Sequence, residues 1–97
     1  MPSVLPELQA WYLAQCDGDW EHEFGVEIGT IDNPGWHVRI DLVETDLEAR
    51  PFERIKLERT DGDWLHAWTE DRRWHAAGGP QNLDEALHAF VTWANSF

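Results

Sequence analysis

On both sides of the pentapeptide "DNPGW", residues 32–36, apolar residues keep to even positions: Trp20, Phe24, Val26 and Ile28 before it, Trp36, Val38, Ile40 and Leu42 after it. A period of two belongs to an extended chain, in which successive side chains point to opposite faces. Two such runs joined by a proline-glycine turn specify an antiparallel hairpin with one apolar face. The expected loop is Asn33-Pro34-Gly35 between Asp32 and Trp36. Pro34 sets a negative φ, and Gly35 takes the left-handed position that closes the turn. This register places Glu27 opposite Asp41, with Arg39 on the diagonal.

The odd positions of the same stretch, "CDGDWEHEFGVEI" at residues 16–28, hold Asp17, Asp19, Glu21, Glu23 and Glu27. Along a strand they form a carboxylate row with a spacing of about 7 Å. The chain as a whole has 19 acidic and 7 basic residues and a formal charge of −12, which repels nucleic acid and anionic membranes and favours a basic partner. The distribution sharpens the point. Residues 1–38 contain seven carboxylates and neither Lys nor Arg, and every basic residue lies between Arg39 and Arg73. Two readings of the row stand side by side: a solvated sheet face, or a recognition surface for a basic protein. The candidates for such a surface are Asp17, Asp19, Glu21, Glu23, Glu27 and Asp41, joined by Trp74, the tryptophan least easily assigned to the core.

The remaining elements follow from spacing and caps. Ser3 caps a first helix with Pro6 in its first turn, and Leu5, Leu8, Tyr12 and Cys16 line one face, widened by Trp11. After the hairpin and the connection "TDLEARPF", Ile55 and Leu57 mark a third strand. A two-residue Asp61-Gly62 turn, of the type that needs positive φ at both positions, pairs Thr60 with Asp63. That register turns Trp64, His66 and Trp68 toward the core and leaves Leu65 and Ala67 outside. "RRWHAAGG" supplies a short fifth strand. Asn82 then caps the last helix, with Glu85 three residues on, and Leu83, Leu87, Phe90, Ala94 and Phe97 form its apolar face. The expected fold is α+β: an N-terminal helix, an antiparallel sheet of four to five strands and a C-terminal helix, with both helices on one sheet face. Residues 1–97 form a single domain on this reading, and 42% hydrophobic content is enough for one core.

Catalytic and metal chemistry find little support in these residues. Cys16 with His22 has the composition of a thiol nucleophile and its base, but Cys16 ends a helix and precedes Asp17, Asp19 and Glu21, which disfavour a thiolate. A buried structural cysteine is expected. The five histidines lie on different elements, neither paired cysteines nor HExxH spacing occurs, and alternate carboxylates stand too far apart to share a small cation. No metal or cofactor is expected. One cysteine excludes an internal disulfide, and the opening "MPSVLPELQAWYLAQC" has neither a basic leader nor a long apolar run, which suits a reducing cytosol.

The landmarks "CDGDWEHEFGVEI", "DNPGW", "DLEARPFERIKLERTDGDW" and "AGGPQNLDEALHAFVTWA", in that order over about residues 8–94, resemble the bacterial immunity protein 53 family. The resemblance implies a cytosolic, non-enzymatic protein of polymorphic toxin systems, encoded beside a secreted toxin that it binds and neutralises. It carries over no functional residue. An acidic inhibitor suits a nuclease toxin, whose phosphate-binding surface is basic. A small orphan enzyme using Cys16 or a carboxylate pair, and a general acidic adaptor, are the alternatives.

Overall fold

The computed structural model describes residues 3–96. Helix α1 (Leu5–Gln15) leads into a single helical turn, α2 (Trp20–Glu23). Five strands follow, β1 (Val26–Ile31), β2 (Gly35–Asp41), β3 (Ile55–Thr60), β4 (Asp63–Glu70) and β5 (Arg73–Gly78), and helix α3 (Leu83–Ala94) closes the chain. The strands form one antiparallel sheet in the order β1-β2-β5-β4-β3. The α+β order of helix, sheet and helix is the one the sequence implies.

Cross-strand pairs show which side of the sheet is covered. Val38 lies opposite Ala76, Ile40 opposite Trp74 and Ala67 opposite Ala76, and all of these residues are buried. They join Leu8 of α1 and Ala86, Leu87, Phe90, Val91 and Ala94 of α3 in one apolar cluster, so both helices cover the same face. The opposite face carries rows such as Glu27, Arg39, His75 and Trp68, and among the described residues no helix lies over it. In α1 the inward side is Leu8 and Trp11, with Val4 buried just ahead of the helix; Leu5 and Tyr12, expected on that stripe, stay exposed. Ser3 Oγ accepts the Leu5 amide, a cap one residue before the helix boundary.

Several registers differ from the expectation, each for a local reason. The first hairpin pairs Ile31 with Gly35, so its loop is residues 32–34 and Glu27 faces Arg39 instead of Asp41. The Asn33-Pro34 bond is cis, and Gly35 is a strand residue without the left-handed φ assigned to it. Glycine is needed at 35 for another reason: a Cβ there would run into the Gly78 carbonyl of the neighbouring strand and approach Ile31 at 3.2 Å. In the second hairpin Thr60 does pair with Asp63, but the ladder shifts between Glu58 and Thr60. Ile55 consequently faces Ala67 and Leu57 faces Leu65. A slip of one residue exchanges the two faces of a strand. Leu65 and Ala67 are therefore core, while Trp64, His66 and Trp68 lie on the uncovered face. Positive φ at both residues of a two-residue turn occurs at Asp71-Arg72, which links β4 to β5, and not at Asp61-Gly62.

Trp74, expected at the surface, is 0% exposed, because β5 is a central strand between β2 and β4. At the start of α3 the Asn82 side chain makes no helix-capping bond. Its amide instead donates to Asp63 (2.9 Å) and Glu85 (3.0 Å), which also bind Arg59, and so ties the β3–β4 turn to α3. Leu87, Phe90 and Ala94 are buried as expected, Leu83 is partly buried, and Phe97 lies outside the described residues.

The close approach at Gly35 separates two roles for this glycine. A left-handed position tolerates Asn, whereas a position tight against a neighbouring backbone does not. Gly35→Asn and Gly35→Ala are both expected to lower stability by about 1–3 kcal/mol or more in denaturant titrations. An Asn variant as stable as the parent would contradict the packing shown here.

Candidate functional site: the acidic end around the helical turn

The carboxylates of residues 17–27 do not form a row on a strand. Gly18, at φ 99°, turns the chain, and the segment closes into α2 through its own carboxylates. Asp17 Oδ1 accepts the backbone amides of Asp19 and Trp20, both at 3.0 Å. Glu21 reaches back to accept the amides of Asp17 (3.0 Å) and Gly18 (2.9 Å). The two acids thus satisfy four consecutive backbone donors, those of residues 17–20, in the turn that leads into α2. The Trp20 and Asp19 amides hold the Asp17 carboxyl below its ordinary range, because they bind its charged form.

Two further candidates are matched within the sheet. Glu27 pairs with Arg39 at 2.8 Å across the first hairpin. Asp41 accepts Arg73 Nε at 2.8 Å with one oxygen and the Gly25 amide at 3.0 Å with the other, which pins the start of β1 to the end of β2. Trp74 lies inside the core against Phe52 and Phe90, with ring centroids 6.0 and 5.2 Å away, and offers no surface to a partner. The structure therefore disperses the predicted set.

The side chains of Asp19 and Glu23 remain exposed, with no hydrogen bond or ion pair among the described residues. They border a depression of about 330 Å³ lined also by Trp20, His22, Phe24 and Glu44. Glu44 was not singled out from the sequence, and no local signal marks it. The fold brings it in: buried Trp20 donates its indole N–H to the Val43 carbonyl at 2.8 Å, which docks the loop after β2 beside α2. Glu44 has φ 63°, in the left-handed region. Three carboxylates with no Lys or Arg among the lining residues make a locally negative rim.

Cys16 is partly exposed, where full burial was expected, because α1 ends there and its Sγ donates to the Tyr12 carbonyl at 3.3 Å. His66 also departs from its expected place under the surface of the core: it lies on the open sheet face, 3.1 Å from Glu58. Among the described residues no three His, Cys, Asp or Glu side chains gather as a metal site, and no helix is long and apolar enough to cross a membrane.

Residues 5–95, nearly the whole chain, match the family model described as immunity protein 53. The chain belongs to the immunity protein 53 family. No curated protein and no solved structure matches it. Membership makes the chain an immunity protein, as the ordered landmarks of the sequence imply, and places α2, the sheet and both helices within the family's span.

The carboxylates of this immunity protein divide into those that build the acidic end and those that decorate it. Asp17→Asn should lower the melting temperature at neutral pH, whereas Asp19→Asn should leave it unchanged or raise it slightly. The sign of the pH effect follows from the lowered Asp17 pKa. Its contribution is complete above the ordinary value of 3.8 and is lost as pH falls through the lower folded-state value. Melting curves of parent and Asp17→Asn between pH 7 and pH 2 should therefore converge at the acid end. A constant gap across that range would assign the loss to something other than ionised Asp17.

Proposed function

We propose that this immunity protein binds and neutralises a cognate protein toxin with a basic surface, without catalysing a reaction, and that its acidic end makes first contact. The observation that carries this reading is the unmatched charge at that end. Glu27, Asp41, Asp63 and Glu85 are each held by an arginine of the same chain, whereas Asp19, Glu23 and Glu44 surround a depression without a cation. Like charges held close together are tolerated in water and become favourable when an opposite charge covers them. The formal charge of −12 adds long-range attraction for a basic toxin, a nuclease being the chemical type that fits best, and disfavours nucleic acid and anionic membranes as ligands. A reducing cytosol, in which Cys16 stays a thiol, is the compartment that suits this role.

The enzyme reading has less behind it. Asp17 and Glu21 are occupied by backbone amides, and Cys16 is followed by acids and has a carbonyl as its hydrogen-bond partner. Neither arrangement activates a nucleophile.

Co-expression with the toxin encoded beside its gene should restore growth of a sensitive host. In purified form, Asp19→Asn combined with Glu23→Gln and Glu44→Gln should fold normally and associate with that toxin about tenfold more slowly, with a flatter salt dependence than the parent. Equal rates and equal salt dependence would remove the acidic end from the interface. Failure of the parent to protect or to bind would overturn the immunity role for that toxin.

A further inference from the structure

The two edges of the sheet are not alike. Edge strand β3 carries Lys56, Glu58 and Arg59 and a ladder irregularity beside Arg59, the devices by which proteins keep other strands from pairing with an edge. Edge strand β1, "VEIGTI", is less protected: its register with β2 is uninterrupted from Val26 to Ile31, and its one charge, Glu27, is paired with Arg39. The hydrogen-bond phase of β1 follows from a single contact. The Asp41 amide donates to the Gly25 carbonyl, so in this antiparallel ladder residues 25, 27, 29 and 31 bond to β2. The N–H and C=O groups of Val26, Ile28 and Thr30 consequently face outward along the free edge.

The side chains of those same three residues point to the helix-covered face, where the edge borders a groove of about 460 Å³ lined by Leu8, Gln9, Tyr12, Phe24, Gly25 and Val26. Ile28 and Tyr12 are 39% and 38% exposed beside it, and Leu5 of the same helix is 51% exposed. An added strand would place alternate side chains over this apolar groove and the others beside Glu27 on the open face. Beyond Phe24 the edge runs directly into Glu23 and Asp19.

We propose that β1 is a strand-addition site, and that its occupant is an extended segment of the toxin in which apolar residues alternate with basic ones. This deepens the toxin-binding reading and rests on it. Charge selects that occupant over a second copy of the chain: self-pairing would join two molecules each of formal charge −12, whereas a basic segment meets the unmatched Glu23 and Asp19 with opposite sign. Backbone pairing would supply affinity, and the apolar and acidic alternation of the edge would set which segment fits.

The test uses the full chain and, as probe, the purified toxin encoded beside its gene. Thr30→Pro removes one outward-facing N–H and no bond to β2, because Pro is accepted where a strand's N–H faces solvent. Ile28→Lys places a charge at the groove on a half-exposed residue, and Leu57→Lys does the same on the β3 edge. Thr30→Pro and Ile28→Lys should each weaken binding by roughly tenfold or more, the scale of a lost interfacial backbone partner, while Leu57→Lys leaves it unchanged. If Thr30→Pro does not fold, the two lysine variants decide alone. Parent binding that survives both β1 variants, or that Leu57→Lys weakens equally, overturns strand addition at β1 and leaves the toxin-binding role standing. A parent that does not bind the toxin at all overturns both. Sedimentation of the chain alone should show a monomer; a dimer abolished by Ile28→Lys would give the edge to a second copy and overturn the proposal.

Discussion

A chain of edge-on aromatic contacts through Phe90 holds the molecule together. Phe90 is fully buried on α3 and meets Trp11 of α1 at 5.0 Å and Trp74 of β5 at 5.2 Å between ring centroids. Trp11 reaches Trp20 of α2 at 6.2 Å, and Trp74 reaches Phe52, which meets Trp93 at 5.1 Å. One ring sequence thus fixes both helices, the central strand, the helical turn and the long β2–β3 connection to a common centre. Perpendicular rings bring the positive edge of one to the negative face of the next, so the arrangement is directional as well as apolar. In a domain of this size a few large rings supply much of the buried area, which is why tryptophan is abundant here.

The acidic end inherits its shape from that centre. Trp20 carries the ring contacts on to Phe24 at 6.1 Å, and its indole N–H on the Val43 carbonyl draws the loop after β2 against α2. Asp19 and Glu23 are neighbours on one helical turn, and Glu44, distant in sequence, joins them because buried Trp20 holds the adjoining Val43. Meanwhile Asp17 and Glu21 spend their charge on four backbone amides, so the acidic segment is partly a folding device. The rigid centre and the exposed charge together suit an inhibitor that binds with little rearrangement.

Much of this architecture was legible in the sequence. The hairpin around Pro34, the third strand, the fifth strand and both long helices all stand where spacing and turn residues put them. The misreadings share a cause, which is that alternation gives parity but not context. In residues 17–24 an alternating pattern and a capped helical turn write the same letters, and only the hydrogen bonds of Asp17 and Glu21 decide between them. Parity carried through the Asp61-Gly62 turn assigned Trp64, His66 and Trp68 to the core, because an irregularity beside Arg59 leaves no mark on the pattern. Trp74 was misplaced because strand order is not written along the chain: nothing in "RRWHAAGG" says that β5 inserts between β2 and β4. Glu44 was invisible for the same reason.

Residue-level hydrogen exchange, with and without the proposed cognate toxin, is the most direct measurement of the proposed strand addition. The amides of Val26, Ile28 and Thr30, open in the free chain, should become strongly protected, with those around Asp19 and Glu23 slowed to a lesser degree. Exchange in β3 and on the histidine and tryptophan face of β4 should stay as it was. Protection confined to β4 and β5, with the β1 edge exchanging as fast as in the free protein, would contradict the account.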